Sequence, residues 1–260
     1  MSLDQSIKTE HGIAHNIAGT TVFLPEVPEE ELGAETVSRF TASLTYVNSL
    51  HQRTQEVMAD NLLSDMGKEA QLKEQRESAL LTIASQIEGL DKFEESIATR
   101  EAALLEIPEI GPQNLTEASI DRELRDYWRT LTIDQQTSIM NEMNEGPKYQ
   151  RLELALLRSP YAQLDHQITV VRDSWNRGKR LENPAEAFAI ASMKNSLDWG
   201  RRAMAHLAPI ALKTSSLPGD AVVKTLVKEG RDKAAKAFGF SSEQIERVRR
   251  LLEVEKQRGR

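Results

Sequence analysis

The chain has 260 residues, with 33 Lys and Arg against 40 Asp and Glu, for a formal net charge of -7. At about 100–200 residues per domain, that length allows one large domain or two small ones with appendages. Hydrophobic residues make up 39%, aromatic residues only 5%, and Cys is absent. This supports a core, argues against an all-β protein, and excludes disulfide scaffolds, thiolate metal sites and a cysteine nucleophile.

Residues 1–33 show no helical period and carry six acids against one basic residue, Lys8, with Pro25 and Pro28 before Gly33. The start, MSLDQSIKTEHGIAHNIAG, lacks the basic and apolar regions of a secretory signal. No run approaches the length of a membrane span. The expected location is the cytoplasm or a particle assembled there, with no membrane partner. Only Thr20-Thr21-Val22-Phe23-Leu24 reads as extended. Without a second strand to pair with, residues 1–33 are expected to form an extended acidic arm. It is either a disordered tail or a docking arm that offers Val22, Phe23 and Leu24 to a neighbour. His11 and His15 are four apart, but Gly12 weakens a helix there and a third ligand is lacking, so no metal is expected.

Residues 34–107 are predicted to form a coiled-coil-like helical hairpin. Val37, Phe40, Leu44, Val47 and Met58 fall on alternating spacings of three and four, with His51 and Thr54 in polar slots. Ile83, Leu90, Ile97 and Leu104 recur every seven residues, with Leu80 and Ile87 three before the first two. Such a seam pairs helices without saying whose helix it meets. The two halves are out of heptad register, and Met66-Gly67-Lys68 lies between them, where Gly suits a helix end. Glu94 and Glu101 interrupt the second seam, so that part splays or meets a polar partner. Gly89 lies inside the second arm, at about 1 kcal/mol relative to Ala.

Ile107-Pro108-Glu109-Ile110-Gly111-Pro112 reads as a linker. Residues 108–217 are predicted to be an irregular helical bundle, with five helices. Thr116 and Thr132 are candidate caps, Gly146-Pro147 and Asn183-Pro184 start further helices, and Leu152, Leu154, Ala155, Leu156 and Leu157 are apolar nearly all round. Ser159-Pro160 opens a helix bearing Tyr161, Leu164, Ile168, Val171 and Trp175. Pro209 should kink or end the last one. All three Trp lie between 127 and 199, which places the main core there.

No phosphate-cradling loop, dinucleotide fingerprint, nucleophile elbow or H-E-x-x-H motif occurs. None of the five His has Glu three residues before it, which disfavours a di-iron bundle site. Asp165 and His166 are adjacent, so on a helix they point apart. No catalytic residue, metal or cofactor is predicted, and the chain reads as a non-enzyme. Arg172, Arg177, Lys179 and Arg180 cluster around Gly178, with Arg201 and Arg202 as further candidates. Charge at a helix C-terminus explains them better than a phosphate site.

Residues 218–260 form a basic C-terminal helical segment, with 11 basic and 7 acidic residues from 220 onward. In RDKAAKAFGFSSEQIERVRRLLE, Ala235 precedes Gly239 by four, and Ile245 and Val248 follow by six and nine. Ser241 and Gln244 make a capping box. The segment resembles the DNA-binding helix-turn-helix over about 23 residues. That resemblance implies a second helix in the major groove, with Gln244, Arg247, Arg249 and Arg250 as candidate nucleic-acid contacts. Glu243 and Glu246 oppose such an approach.

The predicted fold is all-α: arm, hairpin, bundle and helix-turn-helix-like segment. Its profile is similar in style to proteins of large assemblies, including internal or connector-associated components of phage particles. The expected function is a non-catalytic structural or assembly protein. It would join copies of itself or other assembly proteins through the seam of Val37, Phe40, Leu44, Val47, Ile83, Leu90, Ile97 and Leu104. The alternative is an oligomeric DNA-binding regulator or packaging adaptor acting on duplex DNA.

Overall fold

The computed structural model describes residues 7–9, 12–26, 30–143, 145–159 and 167–258. The fold is predominantly helical, as expected, with ten α-helices and one small sheet among the described residues. The sheet corrects the first expectation. Residues 7–24 are not a lone strand but an antiparallel meander of β1 (Ile7–Thr9), β2 (Gly12–Ile17) and β3 (Thr20–Leu24). Ile13 pairs with Leu24 and Ile17 with Thr20. The tight turn uses Ala18 and Gly19, both at positive φ (49° and 78°), the primed geometry that matches strand twist. Ala18 is held there by donating its N–H to Asn48 Oδ1 at 2.8 Å. Ala-Gly is a weaker turn signal than Asn-Gly, and the strained Ala relies on a residue 30 positions away, so the hairpin was not legible locally.

The chain divides into two compact units, and the division falls inside two helices. Unit 1 comprises residues 1–96 and 192–260, and unit 2 residues 97–191. These boundaries differ from the four successive segments expected of the sequence.

Unit 1 is built on α1 (Glu30–Ala59) and α2 (Asp65–Leu104) with the later part of α7 (Pro184–Ser215). At 1.5 Å per residue, α1 and α2 are about 45 and 60 Å long. They run antiparallel. Arg39 Nη1 donates to Gln86 Oε1 at 3.3 Å, Leu50 and Arg53 share a depression with Gln75 and Ser78, and Lys68 Nζ donates to Met58 O at 3.0 Å. The reversal lies at residues 60–64, and Gly67 belongs to the first turn of α2. The predicted break at 66–68 is therefore too late. Ser64, whose Oγ accepts from Gly67 N at 3.2 Å, supplies the N-cap that the glycine signal overshadowed.

Phe40, Leu44, Val47, Ile83 and Leu90 are buried here within one chain. Leu50 and Val57 continue their face, while Met58 is exposed. Phe40 meets Trp199 edge-on at 5.5 Å, and His15 meets Phe40 edge-on at 5.3 Å. Trp199 Nε1 donates to Pro25 O at 2.5 Å. Trp199 thus packs in unit 1 while Trp128 and Trp175 pack in unit 2, so the stretch expected to hold the main core contributes to both. A Cβ on Gly200 would come within 2.1 Å of Thr36 Cγ2, so α1 and α7 approach as closely as a glycine allows. Gly89 differs, since what lies over it is the movable guanidinium of Arg39. Pro209 does not end α7, which continues to Ser215. The flanking Leu207, Ala208 and Ala211 are all buried, and that packing outweighs the one backbone bond a proline removes.

Three short helices complete unit 1: α8 (Gly219–Lys228), α9 (Asp232–Ala237) and α10 (Ser242–Arg258). They are fastened to the acidic edge of α2. Arg231 pairs with Glu88 at 2.8 Å and Lys233 with Asp91 at 3.1 Å. Arg201 pairs with Glu94 at 2.6 Å and Asp91 at 3.4 Å. The polar interruption of the seam at Glu94 thus meets an arginine of α7, whose hydrogen bond holds Glu94 below the usual carboxylate range.

Unit 2 contains α3 (Leu115–Thr130), α4 (Ile133–Met143), a 3-10 turn (Pro147–Tyr149), α5 (Gln150–Leu157) and α6 (Gln167–Glu182). Asn114, not Thr116, caps α3, accepting from Glu117 N at 3.1 Å. Thr132 and Gln135 form a reciprocal capping box on α4. Trp128, Ile139, Leu152, Leu156, Val171 and Trp175 form its apolar core. Leu104, the last seam residue, is only half-buried. Arg151 and Arg158 of the α5 region clamp α3. Arg158 lies 2.8 Å from Glu117 and 3.2 Å from the fully buried Asp121, which Arg151 also approaches to 2.5 Å. Tyr161, Leu164, Asp165 and His166 lie outside the described residues.

Candidate functional site

The end of the α1–α2 hairpin carries the two most exposed large apolar side chains of unit 1 among the described residues, Leu62 and Met66, with Met58 beside them. Leu62 is 96% exposed, Met66 83% and Met58 54%. The connection is well bonded. Asp60 Oδ1 accepts from Leu62 N at 2.8 Å, Ser64 caps α2, and Lys68 reaches back to the Met58 carbonyl. These bonds fix Leu62 pointing outward. Ordered apolar side chains turned to water gain nothing from folding, and such patches commonly mark interaction sites. Sequence reading missed this site because it assigned Met58 to the seam and Met66 to the break. Leu62 follows Asp60 in an Asx-type turn, a signal the sequence did contain.

The predicted seam is not a surface. Phe40, Leu44, Val47, Ile83, Leu90 and Ile97 are buried, and Val37 and Leu104 are half-buried. The unit 1 part of the seam, Phe40, Leu44, Val47, Ile83 and Leu90, is an interior feature of the chain, with α2 running antiparallel to α1. The predicted docking arm is divided by the strand's alternation. Leu24 is buried in its own unit, Val22 half-buried, and Phe23 58% exposed. Of the three, Phe23 alone presents a large apolar side chain outward.

In the C-terminal segment the expected turn forms. Ala235, Ile245 and Val248 are buried and Gly239 takes φ 93°. Ser241 N donates to Gln244 Oε1 at 2.8 Å, and Gln244 N donates to Ser241 Oγ at 3.2 Å. The candidate nucleic-acid residues fare unequally. Gln244's side chain is engaged in the cap. Arg249 pairs with Asp232 and, at 2.6 Å, with Glu246. Arg250 lies 3.6 Å from Glu246. Arg247 is exposed. Helical spacing places Glu246 beside both Arg249 and Arg250, and α9 supplies Asp232. A charge count treats all three arginines alike, but Arg249 and Arg250 have carboxylates beside them and Arg247 stands exposed.

In the central basic cluster, Lys179 and Arg180 form ordinary pairs. Lys179 lies 2.8 Å from Glu182 and over the Trp175 ring at 4.7 Å, and Arg180 pairs with Glu101 at 3.2 Å. Arg201 belongs to the α2 contacts described above and does not join it. His15 is buried against Phe40, and His11 lies outside the described residues. Among the described residues, no three His, Asp or Glu side chains gather as a metal site, and no helix is long and apolar enough to cross a membrane. Comparison with protein-family models, curated proteins and solved structures finds no match for the chain.

Proposed function

We propose that this is a non-catalytic assembly protein that associates through the end of its α1–α2 hairpin, with a second copy of the chain as the occupant. The observation that carries this reading is the bonded loop that holds Leu62, Met58 and Met66 in water. The patch suits self-association because it mixes apolar residues with both signs of charge, Asp60 and Asp65 beside Lys68. An isologous contact must be complementary to itself. Light scattering coupled to size exclusion tests it. Wild type should show a mass above that of one chain, and Leu62→Asp with Met66→Asp should return it to one chain without loss of helicity. A wild-type monomer at high concentration would overturn self-association.

A second reading, duplex-DNA binding through α10, is favoured by the buried Ala235, Ile245 and Val248 around the Gly239 turn. On this reading Arg247 and Arg250 are the donors. Anisotropy on labelled duplex across a salt series should show affinity falling with salt, with a shallower slope for Arg247→Ala. No binding at low salt removes this reading.

A further inference from the structure

A cavity of about 310 Å³ opens in unit 2 between the α4–α5 connection and α6. Its inner wall is Met143, Glu153, Ser174 and Trp175, all buried. Glu145, Pro147, Arg177 and Leu181 are exposed toward its mouth. At roughly 30 Å³ per water, the space holds a small organic molecule.

Glu153 is 6% exposed. Its Oε1 lies 2.6 Å from Ser174 Oγ, which itself lies 3.0 Å from the Met143 carbonyl oxygen. A serine hydroxyl has one hydrogen, so it cannot donate to both. Both bonds form together only if Glu153 is a neutral acid donating to Ser174 Oγ, which donates to Met143 O. Burial pushes the Glu153 carboxyl up from its ordinary value, against a lowering by the Ser174 hydrogen bond.

The charged groups that face this cavity are Glu145, Glu153 and Glu182 against Arg177 and Lys179. On the 3-10 turn beside it, Lys148 is paired with Glu142 at 2.6 Å. With Glu153 protonated the lining is neutral. With Glu153 ionised it carries one excess negative charge, which a single monocation cancels. A buried carboxylate is costly unless a cation pairs with it. The Trp175 face is taken by the Lys179 ammonium, which Glu182 balances at 2.8 Å, so an entering cation is left to pair with Glu153.

We propose that this cavity binds a small organic ammonium ion in exchange for the Glu153 proton. The cation enters, the carboxyl proton leaves to solvent, and the net charge of the cavity is unchanged. The inference is independent of the docking surface at the hairpin end.

Calorimetric titration of the full chain with n-butylammonium tests it, in two buffers of different ionisation enthalpy and at several pH values. Expected are saturable binding, release of about one proton per cation where Glu153 is protonated, and affinity rising about tenfold per pH unit until that group ionises. Glu153→Gln keeps the hydrogen-bond chain, since its amide donates to Ser174, and should stay folded by circular dichroism. It should bind at least tenfold more weakly, with no proton release and no pH dependence. Equal binding of the neutral analogue n-butanol, unchanged binding by Glu153→Gln, or no saturable binding by wild type would each overturn the proposal.

Discussion

In unit 1 the helices meet mainly through apolar side chains and, at Gly200, a glycine; Arg76 is buried and paired with Glu69 of its own helix, and Glu88, Asp91 and Glu94 of α2 face bases from α7 or the α9 region. Unit 2 takes carboxylates inside. Asp121 is fully buried between two arginines, and Glu153 lies beneath a cavity with a serine as its neighbour. The difference teaches where each region is vulnerable. Unit 1 should respond to changes of volume at its helix crossings. Unit 2 should respond to changes of charge and protonation.

The largest effect should come from Arg158→Met, which leaves buried Asp121 with Arg151 alone. Removing one partner of a buried pair typically costs about 3–5 kcal/mol. Urea unfolding followed by Trp128 and Trp175 fluorescence should show that loss, and a cost below about 1 kcal/mol would erase the contrast between the units. Gly200→Ala comes next. Its methyl collides with the branched, buried Thr36, and overpacking of this kind costs about 1–3 kcal/mol. Gly89→Ala provides the control within unit 1. It meets only the movable head of Arg39, and the gain in helix propensity offsets the displacement to within about 1 kcal/mol. Thermal melts of both variants separate the two crossings.

The smallest effect concerns pH. Because the Glu153 carboxyl is raised in the folded state, its contribution is fully present below the ordinary carboxylate value of 4.5. It is lost as pH rises through the raised value, with a slope of at most about 1.4 kcal/mol per pH unit. Glu153→Gln should flatten that slope and leave unit 2 relatively more stable at neutral pH. Unfolding midpoints measured from pH 4 to 8 check the sign, and a variant with the wild-type slope would assign the pH dependence to other carboxylates.

Much of the secondary structure was legible because it is locally encoded. The 3.6-residue periods of α1 and α2, the Thr132–Gln135 and Ser241–Gln244 boxes, and the Gly146-Pro147 break need only neighbouring residues. The sheet was not legible, since β2 is a weak strand sequence, GIAHNI, that gains its order from pairing with β3 and from Asn48 and Phe40. The candidate site was legible in its residue types but misplaced. The same alternation that marks Leu90 and Ile97 as a seam holds whether the partner helix is another copy or the same chain. The short bonded reversal at 60–64 returns α2 along α1, so that the unit 1 part of the seam is buried within the chain while Leu62 and Met66 stay exposed.

By itself, then, the sequence determined that the chain is helical, where most helices begin, and which faces are apolar, because periodicity and capping act within a few residues. Tertiary structure alone decided which charges find partners and which buried acid has its carboxyl pushed up. Arg249 meets Asp232, Arg201 meets Glu94, and Glu153 meets Ser174 across 17, 107 and 21 positions of chain. Electrostatic energy depends on distance in space and on exclusion of water, and neither quantity is written in the order of residues.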